Sequence, residues 1–178
     1  VRVGVVQGDI ALPGAQAYSH PGEVTGNNLR ASLQLAADPA VEERPIDVVL
    51  WGEGSVDRDP VAFPAIGAMV DEAALALDAP IVIGYTNLNE RDRVKNWLAV
   101  WEPGRGVDEE ARYSKHVPVP FGEFIPFREV ISSFATEVAQ ASKDMEAGQE
   151  APLMTLRLRD GRDVPVAVGI CFEAAYPA

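Results

Sequence analysis

Apolar positions along the chain fall into short runs whose period switches between two and about three and a half. Val3-Gly4-Val5-Val6, within Arg2 to Gln7, is a short β run, and Asn27 to Ala37 reads as a helix with Leu29, Leu33 and Leu35 among its apolar positions. Ile46 to Trp51 is almost continuously apolar, the pattern of a strand buried on both faces. A helix is predicted from Val61 to Leu77, then strands over Ile81 to Tyr85 and Asn96 to Trp101, the latter closed by the turn Pro103-Gly104. Ala111 to Ser114 reads as a short β segment. His116 to Pro126 is too rich in proline for a helix or a central strand. Glu129 to Gln140 is predicted helical. The last element is a hairpin: Leu153 to Leu158, a turn at Asp160-Gly161, and Val164 to Cys171. This order predicts an α/β domain with a mixed sheet covered by helices. Because Val164 to Ile170 is apolar at nearly every position, it is expected to be central and covered on both sides.

Composition narrows the function classes. The 178 residues suit one domain, with 47% hydrophobic and 24% charged residues. A net charge of -12 opposes binding to a phosphate backbone or simple adhesion to an anionic membrane. No nucleic-acid partner is therefore expected. No apolar run approaches the ~18 residues of a membrane-spanning helix. The chain opens at Val1 directly into a strand and stops at Ala178, seven residues past its one cysteine. Both ends read as cuts in a longer polypeptide. A single cysteine forms no internal disulfide, so the redox compartment stays open.

Three reactive side chains stand just beyond strand-like runs, where α/β folds gather their active sites. Glu53 sits between Gly52 and Gly54, Lys115 follows Ala111 to Ser114, and Cys171 opens Cys171-Phe172-Glu173. Taken singly they read as a turn residue, a solvated surface charge and a core thiol. Together they make chemical sense. A thiol is a poor nucleophile until it loses its proton, so it needs a base and a cation nearby. Glu53 can serve as the base, and Lys115 can stabilise a thiolate and then an oxyanion, helped by a backbone N–H near Cys171. Histidine offers little: His20 lies in the polar loop Tyr18 to Gly22, and His116 reads as a structural hydrogen-bonder.

A Glu, a Lys and a Cys in that order, 62 and then 56 residues apart, resemble the nitrilase superfamily. Tyr113-Ser114-Lys115-His116, followed by Pro120-Phe121-Gly122-Glu123-Phe124-Ile125-Pro126-Phe127, is similar to the lysine segment of the apolipoprotein N-acyltransferase family. Gly169-Ile170-Cys171-Phe172-Glu173 resembles that family's Cys-aromatic-Glu site. Trp51-Gly52-Glu53-Gly54 resembles its Trp-Pro-Glu motif with Gly52 in place of the proline, and Val5-Val6-Gln7-Gly8 its opening strand. Asn96 falls where the family commonly has an asparagine before the lysine loop.

The resemblance implies an α-β-β-α sandwich over residues 1–178, incomplete on its C-terminal side, with membrane-spanning segments outside these residues. It implies that Glu53, Lys115 and Cys171 are catalytic, with no metal or organic cofactor. Cys171 would take an acyl chain from a phospholipid as a thioester, then pass it to the α-amino group of an apolipoprotein's diacylglyceryl-cysteine. Glu123 and Glu173 would orient Lys115, or anchor loops. Phe172 would shape the acyl pocket and offer its N–H to the oxyanion, and Asn96 would support the site. Phe121, Phe124, Ile125 and Phe127 would form a lipid-facing lid or pack in the core. The implied location is the bacterial inner membrane, with the catalytic domain on its extracytoplasmic side. Two other classes share these residues: a soluble carbon–nitrogen hydrolase with the same triad, and an inactive interaction domain that keeps the fold.

Overall fold

Five strands pair in chain order into one mixed sheet: β1 (Val3–Val6), β2 (Val48–Trp51), β3 (Ile81–Leu88), β4 (Val94–Glu102) and β5 (Gly106–Ser114). The β1–β2 and β2–β3 pairings are parallel, and β3–β4 and β4–β5 antiparallel. The chemistry of the connections explains the switch. Each parallel pair is joined by a long crossover carrying a helix, while Asn89 to Asp92 and Pro103-Gly104 are short enough only to reverse the chain. The computed structural model describes residues 1–9, 20–128 and 143–175. The helix expected over 129–140 lies outside the described residues.

Helices α1 (Glu23–Ala36) and α3 (Pro64–Leu77) pack on one face of the sheet, with the short α2 (Pro39–Glu43) after α1. Against α3 this face buries Val49, Ile81, Ile83 and Ala99. The opposite face buries Val48, Val82, Val100 and Tyr113 against the hairpin of β6 (Leu153–Arg157) and β7 (Asp163–Ala167). Helices, main sheet and hairpin thus form successive α, β and β layers among the described residues. Arg159 fixes the hairpin, donating to the carbonyl of Ile46 at 2.8 Å and reaching the C-terminal end of α3 at Asp78.

Several boundaries differ from the sequence pattern. Helix α1 begins at Glu23, not Asn27, because Asp57 satisfies its first turn: it accepts the Gly22 N–H at 2.6 Å and the Thr25 hydroxyl at 2.5 Å. Helix α3 begins at Pro64, since Asp59 turns Val61 and Ala62 by accepting their N–H groups. Strand β5 starts at Gly106, five residues early, and absorbs the extra length at a bulge opposite Ala99 and Trp101.

The larger correction concerns β7. Among the described residues it pairs with β6 alone, in a two-stranded sheet that leaves Asp163, Pro165 and Ala167 exposed. The strand stops at Ala167, and Cys171–Ala175 forms a short 3-10 turn. No helix among the described residues is long and apolar enough to cross a membrane.

Candidate active site

Glu53 enters the site on a tight turn between β2 and a short bridge to β3. Ser55 N–H closes the turn onto the Gly52 carbonyl at 3.2 Å, and Gly54 takes φ 64°, which glycine adopts without steric cost. Gly84 of β3 lies directly beneath. A Cβ there would sit 2.8 Å from the Gly52 oxygen and 2.9 Å from the Glu53 Cα. The chain therefore requires a glycine in β3 so that the backbone bearing Glu53 can rest on it.

Lys115 follows β5 and is 1% exposed, the reverse of a solvated surface charge. Its backbone is pinned from both sides, N–H to the Asn96 carbonyl at 2.9 Å and carbonyl to the Gly148 N–H at 2.7 Å. Its ammonium donates to Glu123 Oε1 at 2.6 Å and stands 3.9 Å from Glu53 Oε1. A cation this buried requires such compensation. Glu123 is itself held, its Oε2 accepting the Val119 N–H at 2.8 Å. Asn96 Nδ2 donates to Glu53 Oε1 at 2.8 Å, while Asn96 Oδ1 is buried without a partner among the described residues. Glu53, Lys115, Asn96 and Glu123 thus form one connected group.

Cys171 is exposed rather than core-packed and takes φ 52°, an uncommon conformation for a non-glycine residue. Glu173 shapes this turn. Its Oε2 accepts the Ile170 N–H at 2.7 Å, and its Oε1 accepts the His116 N–H, the Val117 N–H and the Tyr113 hydroxyl at 2.6, 3.0 and 2.8 Å. Burial opposes ionisation of Glu173, but these four donors outweigh it and hold the carboxyl below its ordinary range. Burial and the Glu173 carboxylate raise the Tyr113 phenol well above its own. Of the two carboxylates matched to the family motifs, Glu123 reaches the lysine side chain. Glu173 instead ties the backbone after Lys115 to the turn bearing Cys171.

Glu53 and Cys171 line the same cleft, a cavity of about 490 Å³ between the main sheet and the hairpin. Its walls are apolar, including Leu50, Val82, Leu98, Met154 and Ile170. Glu53 also borders a second cavity of about 240 Å³, with Gln7, Asn28 and Ser55. Phe172 is partly exposed beside Cys171. Phe121 and Phe127 project into solvent, whereas Phe124 and Ile125 are half-buried. No group of metal-ligating side chains is present among the described residues. Asn28, whose contact with Ser55 lies 27 residues away, has no functional signature of its own in the sequence; Tyr113 belongs to the lysine segment, but nothing there marks its bond to Glu173, 60 residues on.

No protein-family model matches the chain. It is 30% identical over 187 residues to an apolipoprotein N-acyltransferase of Mycolicibacterium smegmatis, covering 99% of this chain and 29% of that protein. An apolipoprotein N-acyltransferase of Pseudomonas aeruginosa is 26% identical over 182 residues, covering 99% of this chain and 32% of that protein. The chain thus spans about a third of the length of these curated relatives. Among solved structures, an N-terminal amidase superposes with a TM-score of 0.50 at 15% identity, over 96% of this chain and 40% of that one. That likeness is one of fold.

Proposed function

We propose, from the chain's membership of the apolipoprotein N-acyltransferase family, that Cys171, Glu53 and Lys115 carry a two-step acyl transfer from phospholipid to apolipoprotein. The observation that carries this reading is a buried lysine 3.9 Å from Glu53, with Glu53 and Cys171 on one apolar cleft.

In the first step the Cys171 sulfur attacks the ester carbonyl of a phospholipid while Glu53 takes the thiol proton. Lys115 and the Phe172 N–H stabilise the oxyanion of the tetrahedral intermediate. Collapse breaks the ester C–O bond, and Glu53 returns its proton to the departing lysophospholipid oxygen. In the second step the free α-amino group of a diacylglyceryl-cysteine attacks the Cys171 thioester. Glu53 accepts the amine proton, the C–S bond breaks, and the thiol is restored. Glu123 keeps the Lys115 ammonium in place, and Asn96 orients Glu53 through the amide that donates to it. Neither a metal nor an organic cofactor enters. The domain belongs, on this reading, to a larger membrane-anchored enzyme of the bacterial inner membrane, acting on the extracytoplasmic side.

The test is a trapping experiment on the full-length enzyme in phospholipid vesicles without acceptor. Mass spectrometry should find one acyl chain on Cys171, discharged by a diacylglyceryl peptide. Glu53→Gln and Cys171→Ala should abolish the adduct. An unmodified Cys171, or acyl transfer persisting in Cys171→Ala, would overturn the proposal. Hydrolysis of small amides with no acyl adduct would favour a carbon–nitrogen hydrolase.

A further inference from the structure

Helix α1 buries an unexpected face. Leu29, Leu33 and Leu35 are its larger apolar residues, yet the residues it buries most deeply include Thr25, Asn28 and Ser32, while Leu33 is exposed. These three polar residues recur at helical spacing and form one stripe. Each meets a residue close to Glu53. Ser32 Oγ accepts the Trp51 indole N–H at 3.1 Å, Asn28 Nδ2 donates to the Ser55 carbonyl at 3.1 Å, and Thr25 donates to Asp57 at 2.5 Å. Trp51 is two residues before Glu53, and Ser55 and Asp57 are two and four after it. The stripe therefore grips the chain on both sides of the carboxylate.

Asn28 is the centre of this grip and is 3% exposed. Its Oδ1 accepts the Gly8 N–H at 2.8 Å, and its amide hydrogens go to Ser55 and to the Val24 carbonyl at 3.0 Å. Both donors are committed to backbone, so Asn28 has no hydrogen left for a ligand in the cavity it borders. Ser55 passes the constraint on: its hydroxyl accepts the Gly84 N–H at 3.1 Å, beneath the Glu53 backbone.

We propose that this polar stripe sets the position of Glu53, with Asn28 as its principal positioning residue. The proposal rests on Glu53 being the base for Cys171. Buried polar groups along a helix cost free energy unless fully satisfied, and apolar side chains would serve a purely packing role without that cost. What hydrogen bonds add is direction, and a general base requires it, since small displacements at a reacting centre are amplified in rate.

The test is the alkylation rate of Cys171 by iodoacetamide in the full-length enzyme, read by peptide mass spectrometry so that it is measurable without turnover. Asn28→Ala should slow alkylation about 10-fold or more, and Asn28→Asp, which keeps the shape but loses both donors, should do the same. Val70→Ala, on α3, should lower the melting temperature without slowing the thiol. In a Glu53→Gln background Asn28→Ala should cost nothing further, because a residue acting through Glu53 has nothing left to act through. An unchanged rate in Asn28→Ala, or equal slowing in both backgrounds, would overturn the proposal. Normal alkylation in Glu53→Gln alone would instead overturn the reading of Glu53 as the base.

Discussion

Lys115 and Cys171 both follow β-strands, yet one is sealed inside the protein and the other stands in solvent. Lys115 inherits its position from the sheet, through backbone bonds to Asn96 and Gly148 and a charged partner in Glu123. Cys171 lies four residues beyond β7, outside the five-stranded sheet, and its turn is organised by the single carboxylate of Glu173. The charge-stabilising group is thus fixed by the core, where reorganisation would be costly. The proposed nucleophile hangs on one removable hydrogen-bonding hub. Electrostatic stabilisation benefits from a fixed dipole, whereas a nucleophile must admit substrates and release products.

The largest effect should come from removing the buried cation. Lys115→Ala in the full-length enzyme is expected to lower acyl transfer by about 10³-fold and to slow alkylation of Cys171. It also leaves Glu53 and Glu123 without the ammonium between them, so the melting temperature should fall. Retained transfer would show that Lys115 serves folding alone.

Next comes the floor beneath Glu53. Gly84→Ala should destabilise by about 1–3 kcal/mol as backbone is displaced, and turnover should fall by more than stability alone explains. Calorimetry alongside steady-state kinetics separates the two.

Glu173 should show itself in pH. Its carboxyl is held below the ordinary range, so its contribution to stability is fully present above about pH 4.3, the usual glutamate value, and is lost as pH falls through the depressed value. Thermal melts of Glu173→Gln should therefore lie below wild type at neutral pH and converge with it in acid. Parallel curves would break the assignment.

The smallest effect is expected at Asp144, which accepts the Ile125 N–H and pairs with Arg128 and Arg93. Asp144→Asn should speed hydrogen exchange at the Ile125 amide while leaving the Lys115 amide protected, which mass-spectrometric exchange can resolve.

The sequence made the two kinds of anchorage unequally legible. The apolar runs locate β1, β2, β3 and the hairpin because a buried strand must be apolar whatever it pairs with. The order Glu53, Lys115, Cys171 is visible because reactive side chains stand out at strand ends. What escapes is whatever depends on partners distant in the chain. Asp57 holds the start of α1 from 35 residues away by accepting the Gly22 N–H, so no local signal places that helix start at Glu23. The stripe Thr25, Asn28, Ser32 draws no notice in the sequence, because periodicity cannot tell a polar residue facing water from one facing a buried carbonyl. Val164 to Ile170 reads as one continuous strand, yet β7 stops at Ala167 and the backbone turns ahead of Cys171, where Glu173 accepts the Ile170 N–H; hydropathy gives no sign of that carboxylate's role.

The β1 rim of the sheet carries a colloidal consequence. Among the described residues β1 is the last strand of the sheet, and its Val3 and Val5, which border the two cavities beside Glu53, are exposed next to a partly exposed Leu50. Such an edge is a template for pairing with another copy. At neutral pH the net charge of -12 keeps these 178 residues apart. That repulsion vanishes near the sequence's isoelectric point of about 4.5. Mild acidification should then bring bare edges together, making precipitation a matter of charge before it is one of unfolding.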